Sequence, residues 1–260
     1  MRDRWIAGML LVAITVGGVL GLGRVGWAET FVEASVEARL VLALHVGQAA
    51  LQRWVPGPWQ VEPLAAGPSK GANLLVIFID RWLDQDADGK PIPGGAGYQV
   101  ALAVPATQPQ LGESALFVIR IFSGSPLAPP GPYKSTVLAT VRREQALKGA
   151  NADPGLGSEA WEVRDAGGGL MDLRVQYARA LPTRAKPEFK LRSPVEPAFT
   201  RIYRVDQGTD VVRSLPSAID RVQSYQLRVT MSELSPLFDG TEQLVSIAVL
   251  PWFVRQVYLP

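Results

Sequence analysis

The chain has 260 residues, with 26 Lys and Arg against 24 Asp and Glu, one histidine and no cysteine. The lack of cysteine excludes disulfides, thiolate catalysis and cysteine-based zinc or iron–sulfur sites. Residues 1–28 hold three arginines and one aspartate, so residues 29–260 carry 23 basic and 23 acidic side chains. A neutral chain without a Lys/Arg cluster lacks the electrostatic footprint of a nucleic-acid-binding protein.

The first 28 residues have the layout of a secretory signal peptide. Arginines at positions 2 and 4 precede the uncharged stretch Ile6–Leu22, and small residues stand at Gly26 and Ala28. An uncleaved membrane anchor is the alternative, but this stretch has 17 residues, four of them glycine, whereas a spanning helix needs about 20 apolar residues. The pattern predicts cleavage before Glu29, no stable membrane anchor afterwards, and a periplasmic or secreted protein.

The first segment after the signal has the pattern of a strand. From Ala34 to His45, apolar residues alternate with Glu37 and Arg39 before both sides of the strand become apolar. This predicts a strand that is half-buried at first and more fully buried at its end. A short helix is predicted at Gly47–Val55, where the following Pro-Gly-Pro string stops it.

Nine further runs rich in β-branched and aromatic residues predict strands, separated by Pro/Gly-rich connectors. They are Asn73–Asp80, Gly97–Pro105, Ala115–Gly124, Lys134–Arg143, Glu159–Asp165, Leu170–Tyr177, Phe199–Val205, Val222–Thr230 and Leu244–Leu259. The stretch Leu181–Pro187 is predicted to be a crossing loop. About eleven strands at short spacing predict one mainly β domain over residues 29–260. We expect a closed or nearly closed antiparallel β-barrel with a few short helices, with a sandwich as the alternative.

The string from Asp84 to Gly89 spaces three carboxylates two residues apart ahead of a glycine. This spacing can wrap oxygen ligands around calcium, but an EF-hand loop also needs a glutamate at its twelfth position, which here is Gly95. A solvated turn between two strands is the alternative that we favour. The sequence therefore predicts no metal site.

His45 is the sole histidine and ends an apolar strand. This position favours a strand-edge histidine with a local hydrogen-bond partner over a catalytic one. The sequence has no phosphate-binding loop, and no cofactor is predicted.

Lys134 is the most notable of the six lysines. It follows the Pro-rich turn 129–133 and opens an apolar strand, which would direct its stem into the mouth of the barrel. Burial disfavours the ammonium form, and a neutral amine can form a Schiff base with a ketone. The alternative, a solvent-exposed lysine at the start of a strand, is the more common outcome for such a position.

Arginines near later strand ends are candidates for a carboxylate clamp, chiefly Arg201 and Arg213. Ion pairing with nearby acids such as Asp206 is the more frequent role of such residues.

The order of these features resembles the acetoacetate decarboxylase-like superfamily across most of residues 34–260. The resemblance is carried by a long first strand, a short helix ending at Trp54-Val55-Pro56, the Gly97-Tyr98 strand entry, and the lysine turn Gly131-Pro132-Tyr133-Lys134-Ser135. It implies that Lys134 is the Schiff-base amine and that Tyr98 contacts the substrate.

Two positions depart from the family pattern. The family string Gly-x-Pro-Lys-Lys has here lost its second lysine and shifted its proline. Where the resemblance places a glutamate shortly after Tyr98, this chain has Gln99, which can hydrogen-bond a substrate but cannot take a proton as a carboxylate does.

Two hypotheses follow. The first is an exported acetoacetate decarboxylase-like protein that acts as a Schiff-base lyase on a small oxo acid, with Lys134 and Gln99 in its catalytic site. The second is a non-catalytic periplasmic barrel that binds an apolar or carboxylated small molecule. Both have a small molecule as partner and neither needs a cofactor. The sequence leaves the oligomeric state open.

Overall fold

The structure is a computed structural model that describes residues 29–150 and 154–260. The predicted signal peptide lies outside the described residues. As predicted, the described chain is mainly β with little helix. Within these ranges, no helix combines the length and the apolarity needed to cross a membrane. The strands are β1 Thr30–His45, β2 Gln60–Val61, β3 Leu74–Asp86, β4 Gly97–Gln108, β5 Glu113–Ser123, β6 Thr136–Lys148, β7 Leu156–Asp165, β8 Leu170–Ala178, β9 Thr183–Ala185, β10 Glu188–Arg192, β11 Thr200–Ser214, β12 Ile219–Asp220, β13 Val222–Val229 and β14 Gln243–Leu259; the helices are α1 Gln48–Gln52 and a 3₁₀ turn, Ser232–Leu234.

Seven strands pair in a closed ring, in the order β1, β3, β4, β5, β10, β11 and β14. Six of the seven seams are antiparallel, which confirms the predicted closed antiparallel arrangement. The seventh seam, between β5 and β10, is parallel and short: only Leu191 and Arg192 lie opposite Leu116 and Phe117.

A second sheet of four antiparallel strands, β6, β7, β8 and β13, packs against the outside of the ring. It is joined to the ring by parallel pairing of β5 and β6. The main core lies between the two layers, where Leu40 and Leu42 of β1 belong to the same buried cluster as Trp161 and Leu173. Because side chains alternate along a strand, the other face of β1 lines the inside of the ring, which explains why both sides of this strand become apolar in the sequence.

The unpredicted strands are short. The predicted crossing loop Leu181–Pro187 contains β9, and β10 follows it directly. β3 extends to Asp86, six residues beyond its predicted end. This extension carries Arg81 and Asp84 into the ring wall, where they matter for the site.

Candidate functional site

The inside of the ring encloses a cavity of about 310 Å³. Most of its wall is aliphatic, and its charged side chains gather at one end. The aliphatic wall includes Val41, Leu75, Ile77, Ala101, Ala103, Leu116, Val118, Leu191, Val211, Ala248 and Leu250; the polar end holds Arg39, Arg81, Gln99, Tyr133, Tyr203 and Arg255. An apolar cavity with a few convergent polar groups is typical of a small-molecule site.

The loop 62–73 covers the opposite end of the cavity, where Leu64, Pro68 and Ser69 belong to its lining. The loop is fastened by two hydroxyl contacts to the ring. The Ser69 and Ser246 hydroxyl oxygens lie 2.8 Å apart, and the Ser214 hydroxyl donates to the Pro68 carbonyl at 2.7 Å. Hydrogen bonds therefore fasten this loop to the ring at this end of the cavity.

Glu37 lies beneath the polar end and is fully buried. One carboxylate oxygen accepts hydrogen bonds from the Ser35 hydroxyl and from Nε of Arg81, both at 2.8 Å, and the other accepts from Nε of Arg39 at 2.6 Å. Burial alone would raise the pKa of Glu37, but the guanidinium groups of Arg39, Arg81 and Arg255 outweigh it and hold that pKa well below its usual range. Glu37 is thus a permanent anion that positions three arginines.

Arg255 connects this anion to a pair of tyrosines. Its Nε donates to the Ser35 hydroxyl and its Nη1 to the Tyr203 hydroxyl, both at 2.9 Å, while Nη2 donates to Glu33. The Tyr133 hydroxyl donates to that of Tyr203 at 2.8 Å, and burial raises the pKa of Tyr133 well above its ordinary value. Two hydroxyls carry two hydrogens, of which the pair uses one. The other has no acceptor among the described residues and is left for a ligand.

Arg39 has an edge without a hydrogen-bond partner in the described chain, as Arg81 has at Nη2. Its Nε and Nη2 face Glu37 and its Cζ lies 3.5 Å from the centroid of the Phe253 ring. Nη1 has no hydrogen-bond partner within residues 29–150 and 154–260. Burial lowers the pKa of Arg39, although arginine keeps its charge in proteins.

The polar end therefore offers more free hydrogen-bond donors than free acceptors. Arg39 presents Nη1, the tyrosine pair presents one hydroxyl hydrogen, and the amide of Gln99 has no partner in the described chain. The carboxylates of Glu33 and Glu37 already accept bonds from arginine. A ligand group that accepts several hydrogen bonds, above all a carboxylate, fits this arrangement.

Asp84 lies behind Arg81 and is also buried. One carboxylate oxygen accepts from Nη1 of Arg81 at 2.9 Å, while Oδ1 has no hydrogen-bond partner among the described residues. Burial raises the pKa of Asp84 to about 6, helped by the neighbouring Glu33 and opposed by Arg81 and Arg255. The cluster of three arginines and three carboxylates thus gains a positive charge when the pH falls through about 6.

The predicted site residues fall on different sides of the wall. Gln99 lines the cavity. Tyr98, the preceding residue, lies on the opposite face of β4, where its ring meets that of Trp161 edge-on at 5.8 Å. Lys134 is exposed, at a φ of 55° in the turn before β6, and from this turn it is Tyr133 that enters the cavity lining.

The two predicted carboxylate clamps do not line the cavity. The Arg201 guanidinium stacks on the Phe199 ring at 4.3 Å, and Arg213 lies 3.7 Å from the carboxylate of Asp220. The Arg213 contact matches the ion pairing weighed for these arginines, whereas the Arg201 contact is with an aromatic ring. Their role in substrate binding stays a prediction.

Asp84 and Asp86, in the acidic string at the end of β3, have different surroundings. The Asp86 carboxylate accepts from the backbone N–H groups of Asp88 at 3.0 Å and Lys90 at 2.9 Å, which makes the expected turn. The expectation of a solvated turn is wrong for Asp84, because the longer β3 buries it beside Arg81. The described residues contain no cluster of three or more potential metal ligands.

His45 is exposed at the end of β1, with Nδ1 2.8 Å from the Gly71 carbonyl oxygen.

Five residues of the polar end were not predicted from the sequence: Arg39, Arg81, Tyr133, Tyr203 and Arg255. One signal was present in β1. Ser35, Glu37 and Arg39 are spaced two apart, so they share one face of a strand that becomes apolar on both sides.

We expect Glu37→Gln to lower the free energy of unfolding by about 3–5 kcal/mol, because removing one partner of a buried ion pair leaves charge uncompensated. Urea unfolding followed by circular dichroism measures this loss. Glu162→Gln is the matched control: Glu162 pairs with Arg164 on the outer face of the second sheet and its loss changes stability little. Equal effects of the two substitutions would contradict the central role given to Glu37.

We expect the stability advantage of the wild type over Asp84→Asn to shrink as the pH rises from 4 to 7. The pKa of Asp84 is about 6 in the folded chain against an ordinary value of 3.8, so in this window the folded state binds more protons than the unfolded state. Stability contributed by this group is present at low pH and declines by roughly 3 kcal/mol at most. Urea unfolding of both proteins across this range tests the trend, and a pH-independent difference would refute it.

No protein-family model and no curated protein matches the sequence. Its fold does match solved structures. The enduracididine biosynthesis enzyme MppR aligns with a TM-score of 0.57 and 13% identity, over 94% of this chain and 97% of MppR. Acetoacetate decarboxylase from Legionella pneumophila aligns with a TM-score of 0.52 and 13% identity, over 96% of each chain. An acetoacetate decarboxylase-like enzyme from Sphingomonas wittichii RW1 aligns with a TM-score of 0.52 and 9% identity, over 87% of this chain and 90% of that enzyme. The resemblance found in the sequence is therefore confirmed for the fold, and the chain has the fold of acetoacetate decarboxylase-like proteins.

Proposed function

We propose that this chain is an exported binding protein whose ring cavity takes a small apolar molecule with a carboxylate head. The observation that carries the proposal is Nη1 of Arg39, which has no hydrogen-bond partner in the described chain and lies at the polar end of a mostly aliphatic cavity. At about 30 Å³ per non-hydrogen atom, a volume of about 310 Å³ accommodates a ligand of roughly ten such atoms. The carboxylate would accept from Arg39 and from the tyrosine pair, and the aliphatic part would lie against Val41 and Ile77.

Binding is better supported than Schiff-base chemistry. An iminium requires an amine beside the substrate, held where water is largely excluded. All six lysines of the chain lie in the described ranges and all are exposed. Lys134 lies outside the cavity lining, and Tyr133 occupies the wall at that turn.

Export is the second part of the proposal and rests on the basic start, the apolar stretch and the small residues before Glu29. We expect bacterial expression of the full chain to yield a periplasmic or secreted protein that begins at Glu29. Fractionation and N-terminal sequencing measure this directly. Leu11→Arg, which places a charge in the apolar stretch, is the control expected to block processing. A chain that keeps Met1 and stays in the cytoplasm or membrane would contradict export.

For the cavity, we expect calorimetry to detect octanoate binding, and Arg39→Met to weaken it roughly tenfold or more, because a hydrogen bond to a charged group is worth about 1.5–3 kcal/mol. Octanol, which has the same apolar chain and no charge, should bind Arg39→Met and wild type alike. Arg201→Met makes the same chemical change at an arginine outside the cavity and is expected to alter neither ligand. An unfolding curve for each variant checks that the ring is intact.

Two results would overturn the proposal. The first is no octanoate binding, or an equal loss of octanoate and octanol in Arg39→Met. The second is a Schiff base: MppR has been solved in complex with pyruvate, so pyruvate followed by borohydride is the first trapping experiment for this chain. A mass increase at Lys134 that is absent in Lys134→Ala would favour the lyase hypothesis over binding.

A further inference from the structure

A second hollow, of about 400 Å³, lies beside the short β5–β10 seam. Part of its lining is apolar, including Pro63, Ala65 and Ala115, and its rim carries exposed charged residues such as Glu188 and Lys190. The hollow is therefore open to solvent at its rim and apolar within.

Four side chains belong to both spaces. Leu64, Leu75, Leu116 and Phe189 line the ring cavity and also line the outer hollow. All four are apolar and partly exposed. The two spaces thus adjoin at a junction made of side chains that carry no charge.

Few backbone hydrogen bonds join the strands at this junction. β10 has five residues and pairs with β5 only through Leu191 and Arg192. Phe189 lies before this pairing, opposite Tyr203 of β11. Side chains rather than a continuous ladder of backbone hydrogen bonds therefore separate the cavity from the hollow here.

The junction and the polar end are separated along the length of the cavity. Arg39 is opposite Ile79 of β3, and Leu75 lies four residues further along the same strand. At about 3.3 Å per residue this is about 13 Å. Val41 and Ile77 line the wall between them, so a ligand with its head at Arg39 would have an apolar path for its chain as far as the junction.

We infer that the cavity and the outer hollow form one channel for a long-chain carboxylate, whose head lies at Arg39 and whose distal chain passes the junction into the hollow. This inference rests on the proposed binding function and specifies its ligand class. A chain of more than about ten non-hydrogen atoms exceeds the volume of the ring cavity. The hollow supplies apolar surface for the remainder.

The test compares octanoate with dodecanoate in calorimetric titrations of the wild type and Ala65→Trp. Ala65 is exposed and lines the hollow but not the cavity, so a bulky residue there obstructs only the outer space. We expect dodecanoate to bind the wild type at least tenfold more tightly than octanoate, because each buried methylene strengthens binding by about fourfold. Ala65→Trp should abolish this difference and leave octanoate affinity unchanged.

Ala87→Trp is the matched control, since Ala87 is exposed in the turn after β3 and lines neither space. It should preserve the preference for the longer chain. If octanoate binds but dodecanoate binds no better, or if Ala65→Trp weakens both equally, the channel is refuted while the proposed function stands. If neither acid binds, the proposed function falls and the channel falls with it.

Discussion

The buried carboxylate of Glu37 is the interaction on which the polar end of the cavity depends. It faces guanidinium groups from three neighbouring strands of the ring, Arg39 of β1, Arg81 of β3 and Arg255 of β14. Three buried cations at this spacing would repel one another without an anion between them. Glu37 therefore both joins the strands β14, β1 and β3 and determines where the arginines point.

This arrangement also explains why the site is suited to an anionic ligand although the cluster as a whole is balanced. Glu37 pairs with only two nitrogens of the Arg39 guanidinium, Nε and Nη2, and the Phe253 ring covers the face of that guanidinium. Arg39 belongs to the lining of a cavity whose wall is mostly aliphatic. A carboxylate that enters loses its hydration but gains charge-assisted hydrogen bonds, which are the interactions able to offset that loss. The apolar wall then favours one orientation, with the head at Arg39.

Most of the strands could be predicted because the alternation of apolar and polar residues within a strand, and the Pro/Gly-rich connectors between strands, are local features of the sequence. β10 was missed although Glu-Phe-Lys-Leu-Arg alternates correctly, because five residues after a proline give too short a pattern to distinguish from a loop. Its role in closing the ring is not local. It depends on pairing with β5, which lies far away in the sequence, as well as with the next strand, β11.

The site was harder to predict for the same reason. The family resemblance singled out both Tyr98 and Gln99, and only Gln99 lines the cavity, because neighbouring residues of a strand face opposite sides. Arg81 and Arg255 are 174 residues apart in the numbering of the chain, and only the ring brings both to Glu37. At the turn before β6 the prediction depended on a single position. Neighbouring residues of this turn point in different directions, so the ring of Tyr133 lies in the cavity wall where the amine of Lys134 was expected.

The presence of Tyr133 rather than Lys134 in the cavity wall affects the chemistry of the site as well as its geometry. A fold can host many activities, and its function is decided by the side chains that enter the site. Here the turn contributes a phenol whose pKa burial raises, so it keeps its proton and serves as a hydrogen-bond donor. A protonated phenol cannot form an iminium with a ketone, but together with Tyr203 and Arg39 it can hold a carboxylate. The side chains that this ring directs inward thus suit the proposed binding of an acid, and its aliphatic wall suits an apolar chain on that acid.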